Sequence, residues 1–186
     1  MRYLYVGAMA EVDPEALDAI CGRLAADFGA PAKQIQLPPP DFAFDPQRNQ
    51  FGSIPILSML ARRCPTDALK LLAVTERDLF IPVLTFVYGH AQLGGRVAAV
   101  SLARLRQEFY GLAPDREAFL QRALKEALHE TGHTFGLVHC PERVCAMSLA
   151  TNIRQIDSKN AAFCAACAAR LAGRTSRTAH PKEVII

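Results

Sequence analysis

Residues 129–133 read His-Glu-Thr-Gly-His, a spacing that can bring two imidazoles to one metal ion. Positions i and i+4 of an α-helix lie on the same face, so a helix here would present His129 and His133 side by side. Glu130 lies about 100° further round the helix axis, which leaves its carboxylate within reach of a water molecule near the same metal. This arrangement indicates zinc-assisted hydrolysis with Glu130 as the general base.

The third ligand is expected to be His139, which cannot lie on the same unbroken helix. Ten residues of helix span ~15 Å at about 1.5 Å per residue, whereas a zinc–nitrogen bond is only about 2 Å long. The helix must therefore end and the chain must turn back, and Gly136 stands where a left-handed residue would allow this turn. Three protein nitrogens leave a fourth position open, which is typical of catalytic zinc and favours hydrolysis of a peptide or a related amide.

Four of the six cysteines form two short spacings, Cys140-x4-Cys145 and Cys164-x2-Cys167. Four thiolates suit a tetrahedral zinc ion that is closed to substrate and therefore structural. An iron–sulfur cluster also uses four cysteines but is less favoured because no redox feature accompanies them, and two redox-inert pairs without metal are a further alternative. Because Cys140 directly follows His139, the two sites must be close. Without metal, residues of about 140–170 are expected to lose order.

The composition favours one folded domain and does not indicate binding to nucleic acid or to a membrane. The chain has 186 residues, is 51% hydrophobic and carries a formal net charge of +3. The first residues are interpreted as a strand and not as a leader, because acidic Glu11 and Asp13 follow at once. Six cysteines then favour thiols or metal ligands and a cytoplasmic location. We predict a single domain over residues 1–172 and a flexible tail over residues 173–186.

Hydrophobic periodicity predicts alternating strands and helices. Strands are predicted over residues 2–9, 33–37, 69–74, 84–88 and 96–102, and helices over residues 14–28, 54–63 and from about residue 115 onward. Asp13-Pro14 is typical of a helix start, and Gly29 of a helix end. A long surface loop is expected before Ser53, and a turn over residues 89–95 in which His90 is an ordinary loop residue. The order predicts an α/β fold with a mixed sheet and little regular structure after the last long helix.

Taken together, these motifs resemble those of the archaemetzincins. The match consists of His129-Glu130-x-x-His133-x-x-Gly136-x-x-His139-Cys140, then Cys145-x-Met147 and Cys164-x-x-Cys167, with further likeness at residues 75–80 and 86–89. The resemblance implies a compact metzincin-like zincin fold with a twisted mixed sheet, an active-site helix and a C-terminal segment organised by metal. It also implies two zinc ions, a catalytic one on the histidines and a structural one on the cysteines.

Two further expectations come from this resemblance. Met147 falls at the position of the Met-turn, which in metzincins forms an apolar floor below the catalytic zinc. The strand near residues 86–95 would edge the cleft and could pair with an extended substrate, since main-chain hydrogen bonds can bind a peptide in this way.

Three functions are compatible with these patterns. The leading one is a cytoplasmic zinc peptidase, either an aminopeptidase or an endopeptidase for small peptides. The alternatives are a two-zinc module that binds a peptide with little turnover and a hydrolase for a non-peptide amide. Glu130 favours an enzyme because binding alone needs no general base. The expected partner is a peptide substrate, with no nucleic acid and no membrane, and a monomer is favoured.

Overall fold

A five-stranded mixed sheet is the centre of the fold in the computed structural model, which describes residues 1–175. The strands are β1 (Tyr3–Met9), β2 (Ala32–Leu37), β3 (Phe44–Asp45), β4 (Gln50–Gly52), β5 (Ala68–Thr75), β6 (Leu79–Phe80), β7 (Gly89–Ala91) and β8 (Val97–Ser101). The central sheet has the order β2-β1-β5-β8-β7, and a smaller sheet has the order β3-β4-β6. The first four strands of the central sheet run parallel, whereas β7 is antiparallel to β8 at the edge. This confirms the mixed α/β sheet.

Helices cover both faces of the central sheet. They are α1 (Pro14–Phe28), α2 (Ser53–Arg63), α3 (Arg116–Thr134), α4 (Ile153–Ser158) and α5 (Ala165–Thr175). Successive residues of a strand point to opposite faces, so Leu72 and Val74 of β5 pack with α1 and α3, whereas Leu71 and Ala73 pack with α2. A parallel strand buried between two helical layers must be apolar on both faces, which explains the unbroken apolar run in β5.

The helix starts and ends are those that the sequence predicts. Asp13 caps α1 by accepting a 3.0 Å hydrogen bond from the Ala16 amide, and Pro14 takes the first helical position. Gly29 ends α1 in the left-handed conformation, with φ 61° and ψ 30°. Asp115 caps α3 in the same way as Asp13 caps α1. The active-site helix therefore begins at a position fixed by its own cap.

The strand predicted over residues 84–88 is wrong in position. Residues 82–85 form turns and bends, Val87 makes an isolated bridge, and regular pairing begins only at Gly89. Arg48 donates a 2.7 Å hydrogen bond to the carbonyl oxygen of Leu84, so a side chain satisfies backbone that a strand partner would otherwise satisfy. The turn that was expected over residues 89–95 is correspondingly shorter, and His90 lies in a strand.

Two regions that were expected to be irregular contain regular structure. The loop before Ser53 holds a short 3-10 helix and the paired strands β3 and β4, and α4 and α5 follow α3. Asn152 caps α4 by accepting a 3.1 Å hydrogen bond from the Gln155 amide. The carbonyl group of Cys164 accepts a 2.9 Å hydrogen bond from the Ala168 amide at the start of α5. The strands β3 and β4, the 3-10 helix and α4 are too short for periodicity to reveal them, whereas α5 was not predicted although it is as long as α2.

The end of the predicted domain falls within α5, which continues to Thr175. The expected tail, residues 173–186, lies mostly outside the described residues, so both the tail and the single domain over residues 1–172 stay predictions. Within residues 1–175, no helix combines the length and the apolar character needed to cross a membrane.

Candidate active site and metal centres

Three histidines converge at the end of α3. One ring nitrogen from each of His129, His133 and His139 lies within 4.8 Å of the others, and the Nε2 atoms of the first two are 3.0 Å apart. The helix ends at Thr134, and Gly136 adopts a left-handed φ of 84°, so the chain turns back and brings His139 to the group. The chain therefore makes the turn that the ten-residue spacing between His129 and His139 requires.

Backbone carbonyl groups orient two of these rings. His129 Nδ1 is 2.9 Å from the carbonyl oxygen of Ala146, and His133 Nδ1 is 2.7 Å from that of Leu137. Each ring therefore keeps Nε2 free for a ligand bond, which is the usual arrangement of metal-binding histidines. Nitrogens bound about 2.0–2.1 Å from a tetrahedral zinc ion lie about 3.3 Å apart, so the group fits zinc.

Burial lowers the pKa values of all three imidazoles. The pKa of His129 lies well below its ordinary value, that of His133 falls to about 4, and that of His139 is also lowered. Burial is the largest cause in each case, and neighbouring imidazoles add to the effect for His129 and His133. Metal ions bind the neutral form of imidazole, so this environment favours the binding form at neutral pH.

Glu130 is buried beside the histidines, with 5% of its surface exposed. Gly89 of the edge strand packs directly against it, because a Cβ atom at position 89 would lie 2.4 Å from Cγ of Glu130 and 2.5 Å from Oε1. Burial and then the charge of Glu126 raise the pKa of Glu130 well above its ordinary value, whereas Lys159 lowers it. A carboxylate with a raised pKa accepts protons more readily, which suits a general base.

Met147 is fully buried beneath α3. Its sulfur lies against Gly132, where an added Cβ atom would be 2.5 Å from Sδ. The carbonyl group of Met147 accepts a 2.9 Å hydrogen bond from the Cys140 amide, and its own amide donates to Cys145 Sγ at 3.4 Å. The residue thus lies between the helix that carries the histidines and the segment that carries the cysteines.

The four clustered cysteines form one group and not two separate pairs. One sulfur from each lies within 4.8 Å of the others, and Cys140 Sγ is 3.8 Å from Cys164 Sγ. Sulfurs bound about 2.3 Å from a tetrahedral zinc ion lie about 3.8 Å apart, so this group fits zinc as well. Backbone amides of Met147 and Cys164 donate to Cys145 Sγ at 3.4 and 3.3 Å, which would stabilise a thiolate there. The group consists of Cys140, Cys145, Cys164 and Cys167.

A single residue, Ala146, connects the two groups through its backbone. The carbonyl oxygen of Ala146 accepts from His129, as described above, and the Ala146 amide donates a 2.9 Å hydrogen bond to the carbonyl oxygen of Ala162. Ala146 also stands between Cys145 and Met147 in the chain. The position of the His129 ring therefore depends on the segment that the cysteines organise.

His90 lies in a place that sequence analysis did not anticipate. It is buried in β7, with its Nδ1 atom 2.8 Å from Ser53 Oγ of α2 and its Nε2 atom without a partner among the described residues. His90 is paired with Ala99, which packs with α2, so the histidine lies on the face of the sheet opposite α3. It is not part of the three-histidine group.

A buried ion pair lies one helical turn before Glu130. Lys159 Nζ is 3.0 Å from Glu126 Oε1, and the two side chains are 0% and 4% exposed. One turn earlier on the same helix, Arg122 pairs with Asp157 at 2.6 Å. The pair of Glu126 with Lys159 was not predicted from the sequence. The spacing of Glu126 four residues before Glu130 could have placed it on the active-site face, but nothing in the local sequence reveals Lys159 as its partner.

Comparison with known proteins agrees with this geometry. Residues 65–173 match the model of Peptidase family M54. The archaemetzincin of Methanocaldococcus jannaschii is 40% identical over 164 residues, which cover 88% of this chain and 89% of the relative. That of Pyrococcus furiosus is 44% identical over 138 residues, covering 73% of this chain and 71% of the relative.

Solved structures give the same result. The crystal structure of archaemetzincin from Methanopyrus kandleri superposes with a TM-score of 0.85 and 34% identity, covering 95% of this chain and 96% of that one. A zinc-dependent peptidase from Methanocorpusculum labreanum gives a TM-score of 0.82 and 32% identity, covering 90% of this chain and 99% of that one. The chain therefore belongs to peptidase family M54, the archaemetzincin family of zinc metallopeptidases.

Proposed function

We propose that the three-histidine group of this metallopeptidase holds the catalytic zinc ion and that Glu130 is the general base. The observation that carries this proposal is the convergence of the three imidazoles beside a buried carboxylate. A zinc ion bound there would polarise the carbonyl group of a substrate and make a water molecule acidic enough to lose a proton near neutral pH.

The side chains around the histidines then have separate tasks. Glu130 accepts the proton from water and delivers it to the leaving amine. The carbonyl groups of Ala146 and Leu137 hold two imidazoles in the orientation that keeps Nε2 available. Met147 provides an apolar support below the helix, because it is buried against Gly132.

We further propose that the four cysteines hold a second, structural zinc ion, which gives two ions per chain. The spacing of the sulfurs and the amides that donate to Cys145 Sγ support a closed thiolate site. Because the cysteines fill all four tetrahedral positions, no position would remain for substrate. The role of this site is to organise the segment of about residues 140–170.

The substrate is a peptide bound in extended form along β7. Among the described residues, β7 is the last strand of the central sheet and pairs with β8 along one edge only. Its other edge therefore offers backbone groups to a peptide. Gly89 of the same strand contacts Glu130, so a peptide bound along this edge would pass the general base.

We assign the protein to the cytoplasm as a monomer without nucleic-acid partners. None of the six cysteines forms a disulfide among the described residues, which suits a reducing compartment. The formal net charge of +3 is small for a chain of 186 residues and offers no strong attraction to nucleic acid.

The test compares the wild type with Glu130→Gln at matched zinc content. Both proteins are incubated with a mixed peptide library, and the new termini are identified by mass spectrometry. Loss of the general base should reduce turnover by about 10²–10⁴-fold, while the similar size of glutamine preserves the packing against Gly89. The position of the new termini would also distinguish an aminopeptidase from an endopeptidase.

The matched control is Glu117→Gln, since Glu117 is an exposed residue in the first turn of the same helix. This variant should cleave like the wild type. If neither the wild type nor Glu117→Gln produces new termini with zinc confirmed in the protein, the peptidase assignment fails in favour of peptide binding or a non-peptide substrate. If Glu130→Gln cleaves as fast as the wild type, Glu130 is not the general base.

A further inference from the structure

The turn between β7 and β8 is attached to the end of the active-site helix. The Gly94 amide donates a 2.8 Å hydrogen bond to the carbonyl oxygen of His133. Gly94 has a left-handed φ of 68°, and the turn is closed by a 2.9 Å hydrogen bond from the Gly95 amide to the carbonyl oxygen of Gln92. The backbone of a candidate zinc ligand is thus bound to the turn that follows the cleft-edge strand.

Lys70 of β5 joins the same two elements through its side chain. Its Nζ atom donates at 2.6 Å to the carbonyl oxygen of Gly95 in the turn and at 2.6 Å to that of Thr134 in the last turn of α3. A positive charge at the C-terminal end of a helix interacts favourably with the helix dipole. The ammonium group also lies 4.6 Å from the centre of the Phe135 ring.

Arg96, the basic residue that follows this turn, does not bind the end of α3 in the hydrogen bonds described. Arg96 Nη2 donates at 2.8 Å to the carbonyl oxygens of Pro65 and Ala68, which precede β5 or begin it. Lys70 is half-buried, and this burial lowers its pKa to about 8. A charged group placed in such surroundings must be compensated by its partners, here the two carbonyl groups.

The edge strand is consequently attached to α3 at two points. At its start, Gly89 packs against Glu130, and beyond its end the turn is held to His133 and Thr134. We infer that Lys70 is a positioning residue for the reaction, which fixes the separation between the peptide-binding edge and the metal-binding end of α3 without contacting the substrate. This inference rests on the proposed roles of His133 and of β7.

Lys70→Met tests the inference, because methionine has a similar length but cannot donate to either carbonyl group. In the full-length protein the four-cysteine site keeps its zinc, while a chelator empties the three-histidine site, which is then titrated with Co²⁺ or Zn²⁺ so that the Co²⁺ absorption bands report the geometry of that site alone. In Lys70→Met we expect the metal affinity of the three-histidine site to fall about 10–100-fold, the range seen when residues that orient metal ligands are removed. With zinc restored, KM should rise more for an extended peptide than for a dipeptide.

Two further variants serve as controls. Lys33→Met alters an exposed lysine on β2, at the opposite edge of the sheet, and should leave metal affinity, the Co²⁺ spectrum and KM unchanged. Lys70→Arg keeps the charge and the donors and should restore most of the wild-type values. If Lys70→Met does not fold, Lys70→Gln, which keeps a donor for one carbonyl group, should show smaller changes in the same direction.

The outcomes separate this inference from the proposed function. A variant at position 70 that lowers Tm but keeps the Co²⁺ spectrum, the metal affinity and both KM values would overturn it, because Lys70 would then only stabilise the fold. If the wild type cleaves no peptide, the metal titrations still decide whether Lys70 acts on the end of α3. If the wild type cleaves no peptide but Lys70→Met clearly changes the metal site, the peptidase assignment is contradicted. The positioning role of Lys70 is then still supported.

Discussion

Gly89 shows how one small residue can fix the position of Glu130, the proposed general base. The nearest atoms to a Cβ at this position belong to the side chain of Glu130, at 2.4–2.5 Å, and to no backbone atom. The edge strand therefore lies so close to Glu130 that a side chain at position 89 would overlap it. The absence of a side chain at position 89 leaves room for the buried orientation of Glu130.

Gly89→Ala should consequently impair catalysis without unfolding the protein. The new methyl group would displace the flexible Glu130 side chain, and a misplacement of about 1 Å commonly costs about 10²-fold in rate. We expect kcat to fall about 10–100-fold, with metal content and Tm close to those of the wild type. Steady-state peptide hydrolysis and thermal unfolding would measure both quantities.

Gly22→Ala is the matched control, because a Cβ at position 22 of α1 would meet nothing within 4 Å. This variant should keep full activity and gain up to about 1 kcal/mol in stability, since alanine is the better helix former. An unchanged kcat in Gly89→Ala would show that the contact with Glu130 does not set the position of the base.

The sequence predicts residue groups that depend on local spacing, and the structure brings the members of each group together, while their catalytic and metal-binding roles stay proposals. The three histidines, Glu130 and Gly136 follow from helix geometry and the need for the chain to turn back, and the four cysteines follow from their pairing in the chain. The sequence did not predict a role for Gly89, Ala146 or Lys70, because their roles depend on contacts between elements that are far apart in sequence. A glycine or a lysine taken alone carries no signal for such contacts.

Among the elements, α1 and α3 are joined by the residue that caps α1. Asp13 accepts a hydrogen bond from the Ala16 amide and also a 2.7 Å hydrogen bond from Nη2 of Arg116, in the first turn of α3. The hydrogen bonds from Arg116, and then from the Ala16 amide and Arg106, hold the pKa of Asp13 well below its ordinary value despite its partial burial. The start of the active-site helix is thus attached to a second helix on the same face of the sheet.

Asp13→Asn should destabilise the protein by about 1–2 kcal/mol at pH 7, because asparagine can cap the helix but loses the charged hydrogen bonds. The lowered pKa means that Asp13 stabilises the fold fully above about pH 4, the ordinary aspartate pKa, and loses this effect as pH falls further. The difference between the variant and the wild type should therefore shrink from pH 5 to pH 3. Urea denaturation at these pH values would measure it.

Asp41→Asn controls for the loss of a negative charge as such, since Asp41 is exposed in a short 3-10 helix. Its effect should stay within about 0.5 kcal/mol at every pH. A constant destabilisation of Asp13→Asn between pH 7 and pH 3 would contradict a stabilising role for the charge.

Elements with a clear apolar pattern and caps were predictable in most cases, whereas the shortest strands and helices were not. The helix α1 and the strands β1, β2, β5 and β8 lie within a few residues of their predicted bounds, because burial and caps act locally. The strand expected at residues 84–88 is displaced because Arg48, from a distant loop, binds the carbonyl groups of this stretch. The helix α4 has 6 residues and begins at a cap on Asn152, so it is too short for a hydrophobic period, whereas α5 has 11 residues and was not predicted although it is as long as α2.

At the scale of the whole molecule, charged side chains on one face of α3 hold the segment that follows it. Lys159 pairs with Glu126 in complete burial, and Arg122 pairs with Asp157. Lys125 donates to the carbonyl groups of Ile156 and Asp157 at 3.2 and 3.1 Å. Three successive attachments thus join the active-site helix to the stretch that leads into Cys164.

Lys159→Met should destabilise the protein by about 3–5 kcal/mol, because Glu126 would remain buried without a partner. Adding Glu126→Gln to this variant should recover part of the loss, since the uncompensated charge is then removed. Guanidinium denaturation of the zinc-loaded proteins would measure both values. At the exposed pair of Lys33 with Asp67, by contrast, Lys33→Met should cost less than about 1 kcal/mol.

The outcome that contradicts this account is a double variant less stable than Lys159→Met alone. Burial of the pair would then stabilise the molecule by packing and not by compensating charge. A loss below 1 kcal/mol in the single variant would equally contradict the role assigned to the pair.

The backbone of Ala146 has a consequence for how the protein acquires metal. Its carbonyl group orients His129 and its amide is held by Ala162, so an ion on the cysteines would favour the histidine orientation that binds the other ion. Coupling free energies between two sites are reciprocal, so occupancy of the histidines must strengthen the cysteine site by the same factor. Loading would then be cooperative, and a cell short of zinc would contain filled and empty chains in preference to chains that carry a single ion.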